Sequence, residues 1–124
     1  MANKLETSLA GVNNGLQECI LTAKAPVPAY DTNGKKVSDV PVAYKVTVAL
    51  LGNRLTPLTF RIEGGADPLP KISDEQIESA CRGDNGADFI YVTFKDAVVT
   101  LYSIGGQMVM SGKSSGVEVI NAGK

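Results

Sequence analysis

Any chemistry in this chain has to be done without histidine, since none of its 124 residues is one. That removes the usual general base near neutral pH and the commonest metal ligand. Cys19 and Cys81 stand apart, outside any CxxC spacing, and two thiols alone do not make a metal site. They read as two buried free thiols rather than a disulfide. No GxGxxG or Walker A loop occurs; Gly64-Gly65 and Gly105-Gly106 lack the lysine and helix context of a phosphate cradle. The stretch SGKSSG gathers Ser111, Ser114 and Ser115 around Lys113, but without histidine it reads as a solvated loop between strands. Asp84, Asp88 and Asp96 fit turns in DNG and FKDA better than ligands of a magnesium ion. The expectation is a protein that is not an enzyme and uses no metal or cofactor.

Binding chemistry is what remains. Single-stranded nucleic acid is held by aromatic faces that stack on bases, at about 1–3 kcal/mol per base, and by cations along the backbone. A sheet offers both when aromatics and Lys or Arg share the face opposite the core. In DFIYVTFK, Phe89, Tyr91 and Lys95 point one way while Ile90, Val92 and Phe94 point inward. Lys45 and Arg61 share the outer face of a predicted hairpin, Arg54 is a further cation on it, and Tyr102 is a third stacking platform. The same residues have a plainer reading. Phe89 and Tyr91 fit a second small core under the N-terminal segment, and Lys45 and Arg61 fit edge charges that discourage aggregation. Tyr44 belongs to the inward set, and Lys35 and Lys36 are either phosphate contacts or ordinary turn lysines.

Formal net charge is only −1, so attraction to a polyanion has to come from distribution. From Lys24 to Arg61 six cations face Asp31 and Asp39, a local +4; from Asp74 to Asp88 five acids face Arg82, a local −4. The N-terminus lacks the apolar core of a secretory signal, and no run reaches the ~18 apolar residues of a membrane span. A cytoplasmic protein without membrane contact is expected.

These residues must be positioned by elements that are nearly all strands. Residues 1–15 read as a flexible arm ending in Asn13-Asn14-Gly15, residues 16–121 as one domain, and 122–124 as a tail. The first strand is placed at Leu16 to Lys24. Asn33-Gly34 marks a hairpin turn within a proline-bearing ribbon, with Pro26, Pro28 and Pro41 at its edges. In VAYKVTVAL, Val42, Tyr44, Val46, Val48 and Leu50 alternate with Ala43, Lys45, Thr47 and Ala49. A two-residue Gly52-Asn53 turn then returns the chain through LTPLTFRIE, with Leu58, Phe60 and Ile62 inward. One helix follows at about 73–82. Ser73 and Gln76 form a capping box, Asp74 and Glu75 suit the helix dipole, Ile77, Ala80 and Cys81 make the apolar stripe, and Gly83 closes it. A ribbon folded at Gly105-Gly106 and a last strand, Gly116 to Ile120, complete the chain.

The hairpin VAYKVTVALLGNRLTPLTFRIE, the capped helix SDEQIESACRG and the block VTFKDAVVTLYSIGGQMVMSGKSSGVEVI resemble, as a pattern of elements, the OB-fold single-stranded nucleic-acid-binding proteins of phages, plasmids and conjugative elements. The resemblance implies a mainly β fold, a small OB-like Greek-key barrel of five to seven strands. Its one short helix sits between the third and fourth principal strands and caps an open barrel end. It also implies binding of single-stranded DNA, or RNA, by stacking and phosphate contacts, in replication or transfer of a mobile element. The tail NAGK lacks the acidic tip with which housekeeping members recruit other replication proteins. The alternative is a protein-binding or assembly module, such as a phage structural or accessory β protein. A homodimer is left open by the proline-bearing edges.

Overall fold

A computed structural model of the chain describes residues 4–83 and 88–120. The elements run β1 (Lys4–Thr7), α1 (Leu9–Val12), β2 (Cys19–Tyr30), β3 (Lys36–Leu50), β4 (Thr56–Glu63), α2 (Asp74–Arg82), β5 (Tyr91–Lys95), β6 (Val98–Ile104), β7 (Gln107–Lys113) and β8 (Gly116–Val119). All eight strands belong to one sheet, ordered β1-β6-β7-β4-β3-β2-β5-β8 and curled into a half-barrel. Every neighbouring pair is antiparallel except β4 and β7, which are parallel at Phe60–Gly112 and Arg61–Lys113.

Eight strands exceed the expected five to seven, and two helices replace the expected one. Both additions come from residues 4–13, where an arm was expected. β1 pairs with β6, and α1, capped by Ser8, sinks Leu9 into the core at 1% exposure. Asn13 follows, fully buried, and is a clasp rather than a breaker. Its side-chain nitrogen donates to the carbonyls of Leu16 and Glu18, both at 3.0 Å, and its oxygen accepts the Gly52 N–H at 2.7 Å. Gly52 sits so close to the Asn13 backbone carbonyl that a Cβ there would collide with it. This contact also corrects the turn between β3 and β4. Instead of two residues it takes five, Leu51 to Leu55, with Arg54 and Leu55 both at positive φ.

The core lies inside the curl. Cys19 and Leu21, Val46, Val48 and Leu50, Leu58, Phe60 and Ile62, Val92 and Phe94, and Val99 fill it, and Phe60 stacks on Phe94 at 4.0 Å. Gly112 lies flat on the Phe60 ring, with no room for a side chain. The alternation expected for β3 holds only from Tyr44 onward. Val42 is exposed and Ala43 buried, because β4 ends opposite Ala43 and leaves no core beneath Val42. The first strand begins at Cys19, later than expected, and runs to Tyr30. Since β5 pairs with it only at Cys19 and Ile20, its far half is an edge of the sheet beside β3, with Pro26 and Pro28 on the unpaired side. Beyond the end of β4 only Ala29 and Tyr30 continue with β3 as a two-stranded ribbon.

Helix α2 has the expected ends. The Ser73 hydroxyl accepts from the Gln76 N–H at 3.1 Å, Gln76 Oε1 accepts from the Ser73 N–H at 2.8 Å, and Gly83 caps the C-terminus in the left-handed region. Ile77 and Ala80 are buried. Cys81, expected beside them, is exposed: α2 packs chiefly on β2, and its last turn stands at the rim. Asp84 and the tail from 122 lie outside the described residues.

Candidate nucleic-acid interface

The outer face of the sheet is built by the same alternation that builds the core. From Lys45 onward in β3, and along β4, side chains at odd positions point outward, and Lys45 stands directly opposite Arg61. Arg61 in turn stands beside Lys113 of β7, in the parallel pairing. Three cations are therefore abreast on three adjacent strands, at strand spacings of about 4.8 Å. Like charges in such positions repel. Among the described residues Glu63 alone answers them: the Arg61 Nε donates to its Oε1 at 2.7 Å. That hydrogen bond, then the charges of Arg61 and Lys113, hold the Glu63 carboxyl below the usual carboxylate range. Neither Lys45 nor Lys113 forms an ion pair among the described residues.

Next to the cations the outer face carries hydroxyls. Thr47 and Thr59 are opposite one another with oxygens 3.0 Å apart, and the Thr22 hydroxyl donates to the Thr47 carbonyl at 3.0 Å. Beyond them come the aromatics. Tyr91 opens β5 opposite Ile20, and Ile20 is opposite Ala49. Tyr91 is thus two strands across and four residues along from Lys45, about 16 Å over the sheet surface. The Leu21 N–H donates to the Ile90 carbonyl at 2.8 Å, so the chain ahead of β5 still runs beside β2. Phe89 is exposed on that segment. The strip runs from aromatics through hydroxyls to cations.

Other expected contacts are not brought to this strip. Lys95 is outward on β5 but its Nζ lies 2.8 Å from Glu118 Oε1, a hydrogen-bonded ion pair that raises the Lys95 pKa and sets a carboxylate beside the charge. Tyr102 is outward and half-buried on β6, opposite Val109, four residues beyond the Val98 that faces Lys113. Arg54 is exposed in the turn beyond Leu50, at the far end of β3 from Tyr44. Tyr44, expected in the core, is half-buried and lines a cavity of about 430 Å³ with Lys24, Pro26, Pro70 and Lys71. Lys24 is not available to a ligand, since its Nζ is held by Asp67 at 2.6 Å and the Leu69 carbonyl at 2.8 Å.

Lys113 is the residue the sequence did not offer as a contact. Its neighbourhood depends on a parallel pairing between segments far apart in the chain, and the only local signal is that inward Gly112 makes its successor point out. Among the described residues, no group of three or more His, Cys, Asp or Glu is placed to hold a metal ion. No helix among them is long and apolar enough to cross a membrane. No protein-family model, curated protein or solved structure matches this chain.

Proposed function

We propose that the chain is an OB-like barrel that binds single-stranded DNA, or RNA, on this outer face, without catalysis, and by the element-level resemblance serves replication or transfer of a mobile element in the cytoplasm. The observation that carries the reading is the register row Lys45–Arg61–Lys113, three adjacent cations with one carboxylate among them. A polyanion is the ligand that turns this repulsion into attraction.

The fold component rests on how the strands are joined. Only Asp96 and Ala97 separate β5 from β6, and only Ser114 and Ser115 separate β7 from β8. Counted as two bent strands, they make a ring with β2, β3 and β4. In it β5 pairs with β2, β6 with β7, and β7 lies parallel to β4. That connectivity is compatible with an OB barrel, whose second and third strands carry oligonucleotides on their outer face. Those strands correspond here to β3 and β4, which hold Lys45, Thr47, Thr59 and Arg61.

Fluorescence anisotropy of a labelled oligo-dT strand at low salt tests the reading, with wild type against the triple variant Lys45→Ala, Arg61→Ala, Lys113→Ala. The expected result is micromolar or tighter binding that duplex does not displace, weakened at least tenfold in the variant at unchanged melting temperature. Absence of binding at low salt, or equal binding by the variant, overturns it.

A further inference from the structure

We propose that the end of the sheet formed by β1, β6 and β7 is a self-association surface, occupied by the same face of a second copy of this chain. The proposal stands apart from the nucleic-acid reading and uses different residues.

The first observation is a gap in the charge pattern. One residue in five of the whole chain is charged, yet none from Val98 to Gly112 is, which leaves Lys113, at the base of the β6–β7 hairpin, as its single charge. The second is how that hairpin sits. β7 touches β4 only at its last two residues; Val99 and Met110 still pack on the core, but the turn end of the hairpin, Ser103 to Met108, is exposed throughout. The third is what it shows. Leu5, Leu101 and Met110 are in register across the three strands on the face continuous with the core, and Met108 joins them one step along, opposite Ser103. Leu5 is 63% exposed, Met108 71% and Ile104, at the tip, 60%. Protruding strands are normally guarded by charge, proline or a bulge, and between Val98 and Gly112 this hairpin has none of these.

The absence of charge also narrows the occupant to a surface that is itself uncharged, as a second copy of this face is. A nucleic acid meets no cation on this face, and a strongly charged partner meets no counter-charge. Two copies brought together across a two-fold axis juxtapose leucine and methionine with no like-charge penalty, and methionine adapts to such a contact. Three strands about 4.8 Å apart and some 20 Å of strand give roughly 300 Å² per copy, or roughly 600 Å² in all. That is below the ~1,200 Å² of a stable complex, so the pairing is weak and depends on concentration.

Sedimentation velocity of the full chain over a wide concentration range, with the methionine ε-methyl resonances followed by NMR, tests this. The expected result is a mass rising toward twice that of the monomer, while the Met108 and Met110 methyl signals shift with concentration. Met108→Glu and Leu5→Glu are expected to remain monomeric at an unchanged melting temperature. A chain that stays monomeric with invariant methyl signals overturns the proposal, as does association that persists in both variants. Should the variants unfold, the wild-type methyl signals decide alone. Loss of oligo-dT binding by Met108→Glu at concentrations where wild type is monomeric would assign the face to nucleic acid and overturn self-association. The Lys45, Arg61, Lys113 variant is expected to self-associate as wild type does, which separates failure of this proposal from failure of the binding reading.

Discussion

At the scale of single residues, burial turns similar side chains into different chemistry. Cys19 has no exposed surface, and burial pushes its thiol from 9.0 up to about 11, whereas Cys81 is exposed at the rim of α2. Because the folded state holds the Cys19 proton more tightly than the unfolded chain, this contribution is complete below pH 9.0 and is lost as pH rises through about 11. Two pK steps correspond to about 3 kcal/mol at most. Urea midpoints measured from pH 8 to 11 should fall more steeply for wild type than for Cys19→Ala; parallel curves would show that the thiol contributes nothing. The inward position of Cys19 follows from strand alternation with Leu21. The exposure of Cys81 could not be read locally, since its spacing from Ile77 predicts the buried stripe and only the reach of α2 over β2 decides otherwise.

At the scale of elements, legibility follows the range of the interactions that set each boundary. The ends of α2 are written in adjacent residues, Ser73, Gln76 and Gly83, because capping is satisfied within one turn. The β3–β4 pairing is equally local, with Lys45 opposite Arg61 and Thr47 opposite Thr59. The N-terminal segment is different. Asn13-Asn14-Gly15 has the composition of a breaker, and its real use depends on Gly52, which no local pattern links to it. Replacing Asn13 by alanine frees the Gly52 N–H and the Leu16 and Glu18 carbonyls together. An unsatisfied buried group costs about 1–3 kcal/mol, so a loss of about 2–4 kcal/mol in urea denaturation is expected. Faster hydrogen exchange at the Gly52 amide should accompany it. A loss below about 0.5 kcal/mol would mean that water replaces the clasp.

At the scale of the molecule, the cation row lies on β3, β4 and β7, and α2 carries Asp74 and Glu75 in its first turn. A strand laid on the row should release counterions at about 0.7 per phosphate contact, which gives a log–log salt slope of about −2 for three cations. Replacing Lys113 alone should lessen it by about 0.7, whereas replacing Lys95, already paired with Glu118, should leave it unchanged. Equal slopes for wild type and Lys113→Ala would remove β7 from the interface. Half of this site was visible as alternation in two segments. The part contributed by β7 was not, because it exists only once the chain has folded back on itself.

That dependence on chain return also bears on synthesis. The hairpin of β3 and β4 leaves the ribosome early and can zip from its own turn, but Phe60 is covered by Gly112, and β1 waits for β6. Until β7 has been translated, Val46, Val48, Leu58 and Phe60 remain an open apolar face on a nascent chain. A ribosome stalled between α2 and β7 therefore holds this protein at an aggregation-prone length, and translation of β7 closes the curled sheet over Phe60.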